Sequence, residues 1–409
     1  MTFLTPMRWP DTWKDPAALD LVKGTAIDYL LIAKGADLDG VRARAQQLGI
    51  RTGGADSPPT GVAIIKGAWP GVQMGRARGE GVGSGPTGVP WVDSNGWAIR
   101  LNRALHPGVA AWVNAPPAER AFITADSYLI AIADSAAYGG RWIVTLDAPL
   151  AQGLAAGKAA SLATWKKLTA AAGFFAAHQA WADYIPRAVA GVVSDFTGDN
   201  EDFSGELLNL MGRAGLQYRV LLKDKITPAS FESLRAVSYT DETPPSADLR
   251  RRILTFVEAG GLLIASPKWG EVAGTPMPGV EQAGYSVHAL GKGRIALADA
   301  DPVDPFSWAA DAVVLVSHRY DLVRFWNGGA ACFFYTMAPD KKQALVHLLF
   351  YAARGPDSAT VRVAGRYRAA RVSTVDNPQV ANVVMEAQGD AVEVHLPPVS
   401  QYVALELDV

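Results

Sequence analysis

The sequence predicts an α/β protein in three parts: a (β/α) barrel, complete or lacking some units, then a flavodoxin-like α/β domain, then a small antiparallel β domain. The chain has 409 residues, more than one hydrophobic core usually holds. Apolar strand-like runs alternate with helical patterns as far as about residue 356, which is typical of parallel sheets covered by helices. Beyond that residue the helical period disappears. We therefore expect domains over residues 1–187, 188–356 and 357–409.

The first segment contains six candidate strands, with helical patterns between and after them. The strands are predicted at 3–9, 29–33, 50–56, 61–67, 109–115 and 141–147. The helical patterns are PAALDLVKGTA, LDGVRARAQQLG, WAIRLNRAL, DSYLIAIADSAAYGG and ASLATWKKLTAAAGFFAAHQAWADY. An eight-fold barrel usually needs about 200 residues or more, so we expect missing or irregular units.

The second segment alternates with a different rhythm, which predicts a doubly wound, flavodoxin-like sheet. Its strands are predicted at 189–196, 218–223, 236–241 and 261–267, with a hairpin over 285–299 that turns at Gly291-Lys292-Gly293. Its helices are predicted at 204–215, 245–261 and 341–354. In the third segment, turn residues separate five runs that predict antiparallel strands at 360–365, 367–375, 380–388, 390–397 and 402–409.

Composition and charge argue against several classes of protein. Nearly half of the residues are apolar and the formal net charge is −2, which argues against nucleic acid as a partner. No apolar run is long enough to predict a membrane span, and no signal peptide is visible. Cys332 lies in an apolar run that favours a buried inert thiol, and the six histidines show no metal-ligand spacing. We expect no metal, no cofactor and no membrane partner; the compartment is not determined, although these features favour the cytoplasm.

The order of the parts resembles a known family. A barrel-like segment is followed by VVSDFTGDNEDFSGELLNLM, an apolar strand after Gly260-Gly261, the GKGR hairpin from Gly291 to Arg294, and a small β domain. This order resembles the barrel-type β-galactosidases, whose second domain is a glutamine-amidotransferase-like trimerisation domain. The resemblance covers about residues 188–409. It implies a glycoside hydrolase whose middle domain packs subunits together, and hence a homo-oligomer, either a dimer or a trimer.

Two departures limit what the resemblance implies. Glutamine amidotransferases of this fold use a cysteine nucleophile, but Ser266 follows the GLLIA strand and Cys332 lies in a different context. We therefore expect no amidotransferase activity. The paired catalytic glutamates of the family have no matching motif in the first segment, so the resemblance assigns no catalytic residue.

The run GEGVGSGPTGVPWVDSNGW, from Gly79 to Trp97, is the strongest candidate for a site. It contains a G-x-G-x-x-G spacing, but it neither follows a strand directly nor opens a helix at once, as a dinucleotide-binding loop does. The tryptophans in and near it argue against a flexible linker. The run therefore predicts an ordered loop on the face of the barrel where active sites are built.

Glycoside hydrolysis needs two carboxyl groups, and the first segment offers few of them. Its two glutamates are Glu80, in the glycine-rich loop, and Glu119, at a predicted helix start where an acid suits the helix dipole. Asp93 and Asp147 are the candidate partners of Glu80, with helix-capping and turn roles as their alternatives. Asp134 is expected on a solvated helix face.

Aromatic side chains supply the predicted sugar-binding surface. Nine of the twelve tryptophans lie in the first segment, which concentrates ring faces around the predicted mouth. Such faces suit the C–H faces of pyranose rings, and simple packing at the top of the barrel is the alternative. The candidate sugar-binding residues are Trp9, Trp69, Trp91, Trp97, Asn95 and Asp56.

Three functions are compatible with these features. The favoured one is a glycoside hydrolase that acts on a saccharide with Glu80, Asp93 and Asp147 at the barrel mouth. The second is a non-catalytic carbohydrate-binding or scaffold protein on a degenerate barrel. The third, an amidotransferase or nucleotide-dependent enzyme, is favoured least.

Overall fold

The N-terminal part is built on six parallel strands and a two-stranded ribbon. The structure is a computed structural model that describes residues 4–73, 91–119, 121–278, 284–301, 304–326, 330–352 and 358–409. The N-terminal strands are β1 Pro6–Arg8, β2 Tyr29–Ile32, β3 Arg51–Gly54, β4 Val62–Lys66, β5 Gly71–Gln73, β6 Trp91–Asp93, β7 Ala110–Asn114 and β8 Arg141–Trp142. β5 and β6 pair as an antiparallel ribbon, and the other six strands are parallel.

The six parallel strands follow one another in chain order around the sheet. β1, β2 and β3 pair in one group, and β4, β7 and β8 pair in another. A parallel bridge between Met7 and Val144 joins β1 to the chain just after β8. Among the described residues, no strand pairing joins β3 to β4. The layer therefore has a cyclic strand order with one open seam, and a closed barrel stays a prediction.

Side chains from several of these strands meet in one interior cluster. The buried members are Leu4, Tyr29, Leu31, Trp112 and Ile143, and Val62 and Ile64 of β4 pack against them. The rings of Tyr29 and Trp112 make an edge contact with 5.1 Å between their centroids. Because alternate residues of a strand point to the same face, this cluster identifies which side chains project into the interior.

Helices cover the outside of this layer: α1 Asp39–Gln47, α2 Gly96–Leu105, α3 Ala125–Ala137, α4 Ala148–Ala155 and α5 Ala159–Ala177. They share a core with outward side chains of the strands, such as Met7, Leu30 and Val113. The helix predicted from the ASLATW pattern ends at Ala177 and continues as a 3-10 turn over Gln179–Asp183.

The middle part is a mixed sheet that follows the short β9 (Ile185–Pro186). Its strands are β10 Ala190–Ser194, β11 Tyr218–Leu222, β12 Ala236–Tyr239, β13 Leu262–Ala265, β14 Thr275–Pro276, β15 Tyr285–Leu290 and β16 Gly293–Ala298. They are ordered β11-β10-β12-β13-β16-β15-β14. The first five in this order are parallel, and β15 runs antiparallel to both β16 and β14. The predicted hairpin over 285–299 is confirmed.

Helices pack on both faces of this sheet. α6 (Asn200–Arg213) and α8 (Pro305–Val316) share a core with one set of strand side chains, including Val192 and Ile264. α7 (Ala247–Glu258) packs on the opposite face, with Val193, Leu263 and their neighbours. Adjacent residues of one strand therefore enter different cores, as the pleat of a sheet buried on both sides requires.

The C-terminal part contains two antiparallel sheets that enclose a third core. Its strands are β17 Val323–Trp326, β18 Ala331–Met337, β19 Gln343–Phe350, β20 Ala359–Ala364, β21 Ala369–Thr374, β22 Ala381–Asn382, β23 Val384–Gln388, β24 Ala391–Leu396 and β25 Tyr402–Asp408. One sheet is ordered β17-β20-β24-β23 and the other β22-β21-β25-β19-β18-β9. The change to antiparallel sheets thus comes before Val323 and not at residue 356.

The helix predicted over 341–354 is wrong, because this segment forms strand β19. Val346 and Leu348 on one face enter the core between the two antiparallel sheets. Leu345 and Leu349 on the other face enter the core of the N-terminal helices. A strand buried on both faces has a continuous apolar run, which its sequence does not distinguish from a buried helix.

Candidate functional site

The carboxyl ends of the N-terminal parallel strands carry a layer of polar side chains. Ile64 and Trp112 belong to the interior cluster, so Lys66 and Asn114, two residues further along β4 and β7, project to the same side. Leu4 and Ile143 also belong to the cluster, so Arg8, four residues after Leu4, and Thr145, two residues after Ile143, project to that side as well. We call these four residues, Arg8, Lys66, Asn114 and Thr145, the mouth layer.

Arg8 is held across the mouth by groups from two other strand ends. Its Nη1 donates to the carbonyl oxygen of Ala55 at 3.1 Å, and its Nη2 lies 3.3 Å from Asn114 Oδ1. Nη2 also lies 3.5 Å from Asp56 Oδ1, a long ion pair. The side chain of Arg8 is 24% exposed and that of Asp56 is 86% exposed. The guanidinium is therefore fixed in place while part of it still faces solvent.

The mouth layer itself holds no carboxylate. Two of its members, Arg8 and Lys66, are cations, and Lys66 is exposed. The predicted sugar-binding residue Asp56 is the carboxylate recorded beside Arg8, and most of its surface faces solvent. Of the expected catalytic carboxylates, Asp93 and Asp147 lie on other segments, and Glu80 lies outside the described residues.

The ribbon of β5 and β6 is anchored beneath Asp93 by Asn95. The Asn95 side chain accepts from the backbone nitrogen of Ala68 at 2.8 Å and donates to the carbonyl oxygen of Ala68 at 2.9 Å. Gly67 permits this approach, because a Cβ atom there would lie 2.7 Å from Asn95 Oδ1. Asn95, predicted to bind sugar, is 2% exposed and therefore serves the loop rather than a ligand.

Asp134 lies at the centre of this anchor and not on a solvated helix face as expected. It is fully buried, and its carboxylate accepts hydrogen bonds from Ser94 Oγ at 2.7 Å, from the backbone nitrogen of Asn95 at 2.8 Å and from Tyr351 Oη at 2.6 Å. Burial raises the pKa of Asp134, and these donors act against that rise. The position of Asp93 therefore depends on a network that reaches the residue after β19.

Asp147 caps helix α4 from the end of the β8 segment. Its Oδ1 accepts from the backbone nitrogen of Leu150 at 2.9 Å, and its Oδ2 accepts from Tyr128 Oη at 3.1 Å. The residue is 1% exposed. Trp69 packs edge-on against Tyr128 and Trp142, with centroid distances of 5.2 and 4.8 Å. Tyr128 therefore contacts both predicted site residues, Trp69 through its ring and Asp147 through its hydroxyl, with Asp147 in a capping geometry.

The other predicted aromatic residues are in different surroundings. Trp9 is 1% exposed and donates from Nε1 to the carbonyl oxygen of Trp13 at 2.8 Å, so it packs in the core and offers no ring face to a sugar. Trp97 is partly buried against the core of the middle part. Its ring approaches Gly205 of α6, where a Cβ atom would lie 3.1 Å from the indole. Glu80 and the side chain of Trp91 lie outside the described residues.

Glu206 brings a second carboxyl group close to Asp93 from helix α6. Glu206 is partly buried, and its Oε1 atom is shielded from solvent and has no hydrogen-bond partner among the described residues. Its Oε2 lies 3.5 Å from Asn209 Nδ2. Burial raises the pKa of Glu206; the hydrogen bond from Asn209 and the charge of Arg213 act against that rise, and the charge of Asp93 adds to it. A carboxyl group in this environment therefore keeps its proton to a higher pH than a solvated glutamate does.

Sequence reasoning missed Arg8, Lys66, Asn114 and Glu206 as site residues. A signal for the first three was present, because each lies near the carboxyl end of a predicted strand and in register with apolar residues two positions before it. Glu206 gives no comparable signal, because its approach to Asp93 depends on how α6 packs against α2.

Two features are absent from the described residues. They contain no helix that is both long and apolar enough to span a membrane. They also contain no group of three or more histidine, cysteine, aspartate or glutamate side chains arranged to hold a metal ion.

Comparison with known proteins shows a relation at the level of fold. No protein-family model and no curated protein matches the sequence. Among solved structures, α-L-fucosidase isoenzyme 2 from Paenibacillus thiaminolyticus has a TM-score of 0.54 and 10% identity, over 96% of this chain and 79% of that one. Rhamnosidase from Novosphingobium sp. PP1Y has a TM-score of 0.52 and 10% identity, over 90% and 38% of the two chains.

A β-galactosidase from Bacillus circulans sp. alkalophilus is also similar, with a TM-score of 0.48 and 8% identity, over 73% of this chain and 60% of that one. Identities this low carry information about fold alone. The fucosidase likeness extends over nearly the whole of this chain and so includes all three of its parts. The chain therefore has a mixed α/β fold that it shares with solved glycoside hydrolases.

Proposed function

We propose that the protein is a glycoside hydrolase that acts on a saccharide at the mouth of the N-terminal parallel strands. The observation that carries this proposal is the fold similarity to a fucosidase over 96% of the chain. The mouth lies at the carboxyl ends of parallel strands, where enzymes with (β/α) barrels build their active sites. The more specific prediction from the sequence, a β-galactosidase-like hydrolase, is part of this proposal.

Asp93 and Glu80 are the proposed catalytic carboxyl groups. Asp93 is partly exposed at the end of β6, and the anchor formed by Asn95 and Asp134 fixes the backbone beside it. Glycoside hydrolysis requires one carboxyl group that donates a proton and one carboxylate that acts as nucleophile or base. Asp147 remains a third candidate, although its cap and its burial suit a structural role better. Trp69, Trp91 and Trp97 are the proposed ring-stacking side chains.

Glu206 is a further candidate for the acid. A raised pKa is the property that a glycosidase acid needs near neutral pH, and both burial and the charge of Asp93 shift Glu206 in that direction. The surroundings of Oε1 support the same role, because no described residue donates a hydrogen bond to it that would stabilise the ionised form.

The two other parts have proposed supporting roles. The parallel strands of the middle sheet have the order second, first, third, fourth, fifth along the chain, which supports the flavodoxin-like assignment. We retain the glutamine-amidotransferase-like relationship, the small β domain and the homo-oligomer, dimer or trimer, as predictions. A saccharide is the proposed partner, and no nucleic-acid partner is proposed.

The test is hydrolysis of a panel of aryl glycosides by the parent protein and by variants. Glu80→Gln, Asp93→Asn, Asp147→Asn and Glu206→Gln each remove one candidate charge. We expect Glu80→Gln and Asp93→Asn, at the proposed catalytic carboxyl groups, to lower kcat by about a hundredfold or more. Glu201→Gln, on the exposed first turn of the same helix as Glu206, is the matched control and should leave kcat unchanged. Hydrolysis that survives all four substitutions would refute the site assignment.

A non-catalytic carbohydrate-binding protein is the second candidate function. The mouth layer favours it, because these four residues hold two cations and two neutral polar groups and no carboxylate. A parent protein that binds saccharides but hydrolyses no member of the panel would favour this function.

A further inference from the structure

The mouth layer carries positive charge on a chain whose net charge is negative. Arg8 and Lys66 contribute two positive charges and the neighbouring Asp56 contributes one negative charge, which leaves one positive charge among these described groups. The whole chain has a formal net charge of −2. The positive charge is therefore local to the side chains of Arg8 and Lys66, and it favours an anionic group that lies beside them.

Arg8 has donors left for a ligand. A guanidinium has five N–H donors, and the described acceptors on Ala55, Asp56 and Asn114 account for three of them. Two donors, the Nε–H and one Nη1–H, have no partner among the described residues. The contact with Asp56 is 3.5 Å long and its carboxylate is 86% exposed, so an incoming anion competes with it easily.

The surroundings of Arg8 also favour a charged ligand over a neutral one. The side chain is only 24% exposed, so its charge is screened less than that of a fully solvated arginine. Hydrogen bonds to Ala55 and Asn114 hold the planar guanidinium in one orientation before any ligand arrives. A fixed guanidinium recognises carboxylate and sulfate oxygens by paired, charge-assisted hydrogen bonds.

We propose that the mouth layer selects saccharides that carry an acidic group, with Arg8 as the residue that binds that group. Lys66 contributes a second, more mobile positive charge from the end of β4, and Asn114 and Thr145 offer hydrogen bonds to hydroxyl groups. This inference rests on the proposed saccharide function and specifies its substrate class. A uronate carboxylate and a sulfate ester share the required chemistry.

The test compares binding of galacturonate, galactose 6-sulfate and galactose to the full chain by calorimetry at pH 7 and low salt. We expect at least one acidic sugar to bind about tenfold more tightly than galactose, the difference that one charge-assisted contact supplies. The preferred acidic sugar identifies the group as carboxylate or sulfate. Added salt should reduce the preference.

Variants distinguish a specific contact from general attraction. Arg8→Gln should abolish the preference, and Arg8→Lys, which keeps the charge but loses the planar fork, should retain part of it. Lys66→Gln should have a smaller effect. The control is Arg51→Gln. Arg51 begins β3, at the end of the parallel strands opposite to the mouth, and pairs with Asp28 at 3.2 Å. This substitution should leave the preference for acidic sugars unchanged. Melting temperatures identify any variant that fails to fold, and Arg8→Lys then carries the test.

The outcomes separate this inference from the proposed function. If the parent hydrolyses aryl glycosides but binds acidic and neutral sugars equally, the inference fails and the hydrolase proposal stands. If the parent prefers acidic sugars through Arg8 but hydrolyses nothing, the hydrolase proposal fails and the inference stands. Binding of none of the three sugars, or a preference that survives Arg8→Gln in a folded variant, overturns the inference.

Discussion

His347 is a buried imidazole that the fold keeps neutral. Its Nδ1 lies 2.8 Å from Tyr402 Oη, whereas its Nε2 has no hydrogen-bond partner in the part of the chain that the structure describes. The ring packs near Phe334 and Trp181 where strand β19 faces the N-terminal helices. Burial lowers the pKa of His347 to about 3. Protonation is therefore much easier in the unfolded chain, where the imidazole has its ordinary pKa of about 6.5.

This difference predicts that His347 makes folding less favourable as the pH falls below about 6.5. Above that pH both states are neutral and the residue has no effect; below it the unfolded state gains a proton that the folded state does not bind until about pH 3. Between pH 7 and 5 the loss in unfolding free energy should be about 2 kcal/mol. Urea denaturation at the two pH values measures it.

The comparison variant is His347→Gln, which does not titrate and still offers a hydrogen-bonding group to Tyr402. Its unfolding free energy should depend less on pH than that of the parent by about the same amount. His395→Gln is the matched control, because the His395 side chain is 45% exposed, and it should keep the pH dependence of the parent. An unchanged pH dependence in His347→Gln would contradict the prediction.

Single residues also show what the sequence can and cannot predict about the site. Arg8, Lys66 and Asn114 occupy alternate positions of correctly predicted strands, so their common direction follows from the period of a strand. The contacts of Arg8 with Ala55 and Asn114 do not follow from that period, because they depend on which strands lie side by side. The prediction of a solvated Asp134 is wrong. A carboxylate in a helix is usually solvated, whereas here backbone and side-chain donors from distant segments surround it.

At the scale of elements, Asp147 connects the end of the β8 segment to helix α4. The helix begins at Ala148, with a proline in its first turn and Asp147 in the N-cap position. The cap bond to Leu150 stabilises the first turn, and Tyr128 holds the other carboxylate oxygen. This geometry gives Asp147 a structural role at the start of α4.

We therefore predict that Asp147→Ala lowers the unfolding free energy by about 1–2 kcal/mol, because the cap is lost and the Tyr128 hydroxyl loses an acceptor. Asp147→Asn keeps an acceptor for the cap and should lose less than half as much. Asp304→Ala, which removes the exposed cap of α8, is the matched control for loss of a cap alone. Chemical denaturation measures all three, and an Asp147→Ala protein as stable as the parent would exclude the structural role.

Elements whose local sequence pattern is clear agree with their predicted secondary structure, and strand β19 shows why another element does not. The parallel strands, the hairpin of β15 and β16 and helix α7 have apolar periods and turn residues that depend only on local sequence. The sequence predicts a helix where strand β19 lies, because both faces of this strand are buried, each in a different core. Burial of that kind is decided by distant parts of the chain, which a local period does not report.

At the scale of the whole molecule, the N-terminal and C-terminal parts share one core. Cys332, Phe334 and Leu345 of the antiparallel sheet are buried in the same cluster as the helices α3 and α5. The Phe334 ring lies 4.8 Å from that of Tyr138 at the end of α3. The sequence predicts separate domains because each segment has its own pattern of strands and helices. Packing between the segments leaves no such pattern in the sequence. Loosening β18 should therefore loosen α3.

The variant Phe334→Ala tests this coupling. Removing the ring from a buried position 3% exposed should lower the unfolding free energy by about 3–5 kcal/mol. Because Phe334 supports both sides of the shared core, amide hydrogen exchange should accelerate in α3 as well as in β18. Phe231→Ala is the control, since Phe231 stacks on Phe256 in the core beneath α7, and it should accelerate exchange in α7 more than in α3. If Phe334→Ala accelerates exchange in β18 and leaves α3 at the rate of the parent, the two parts open independently and the shared core does not couple them.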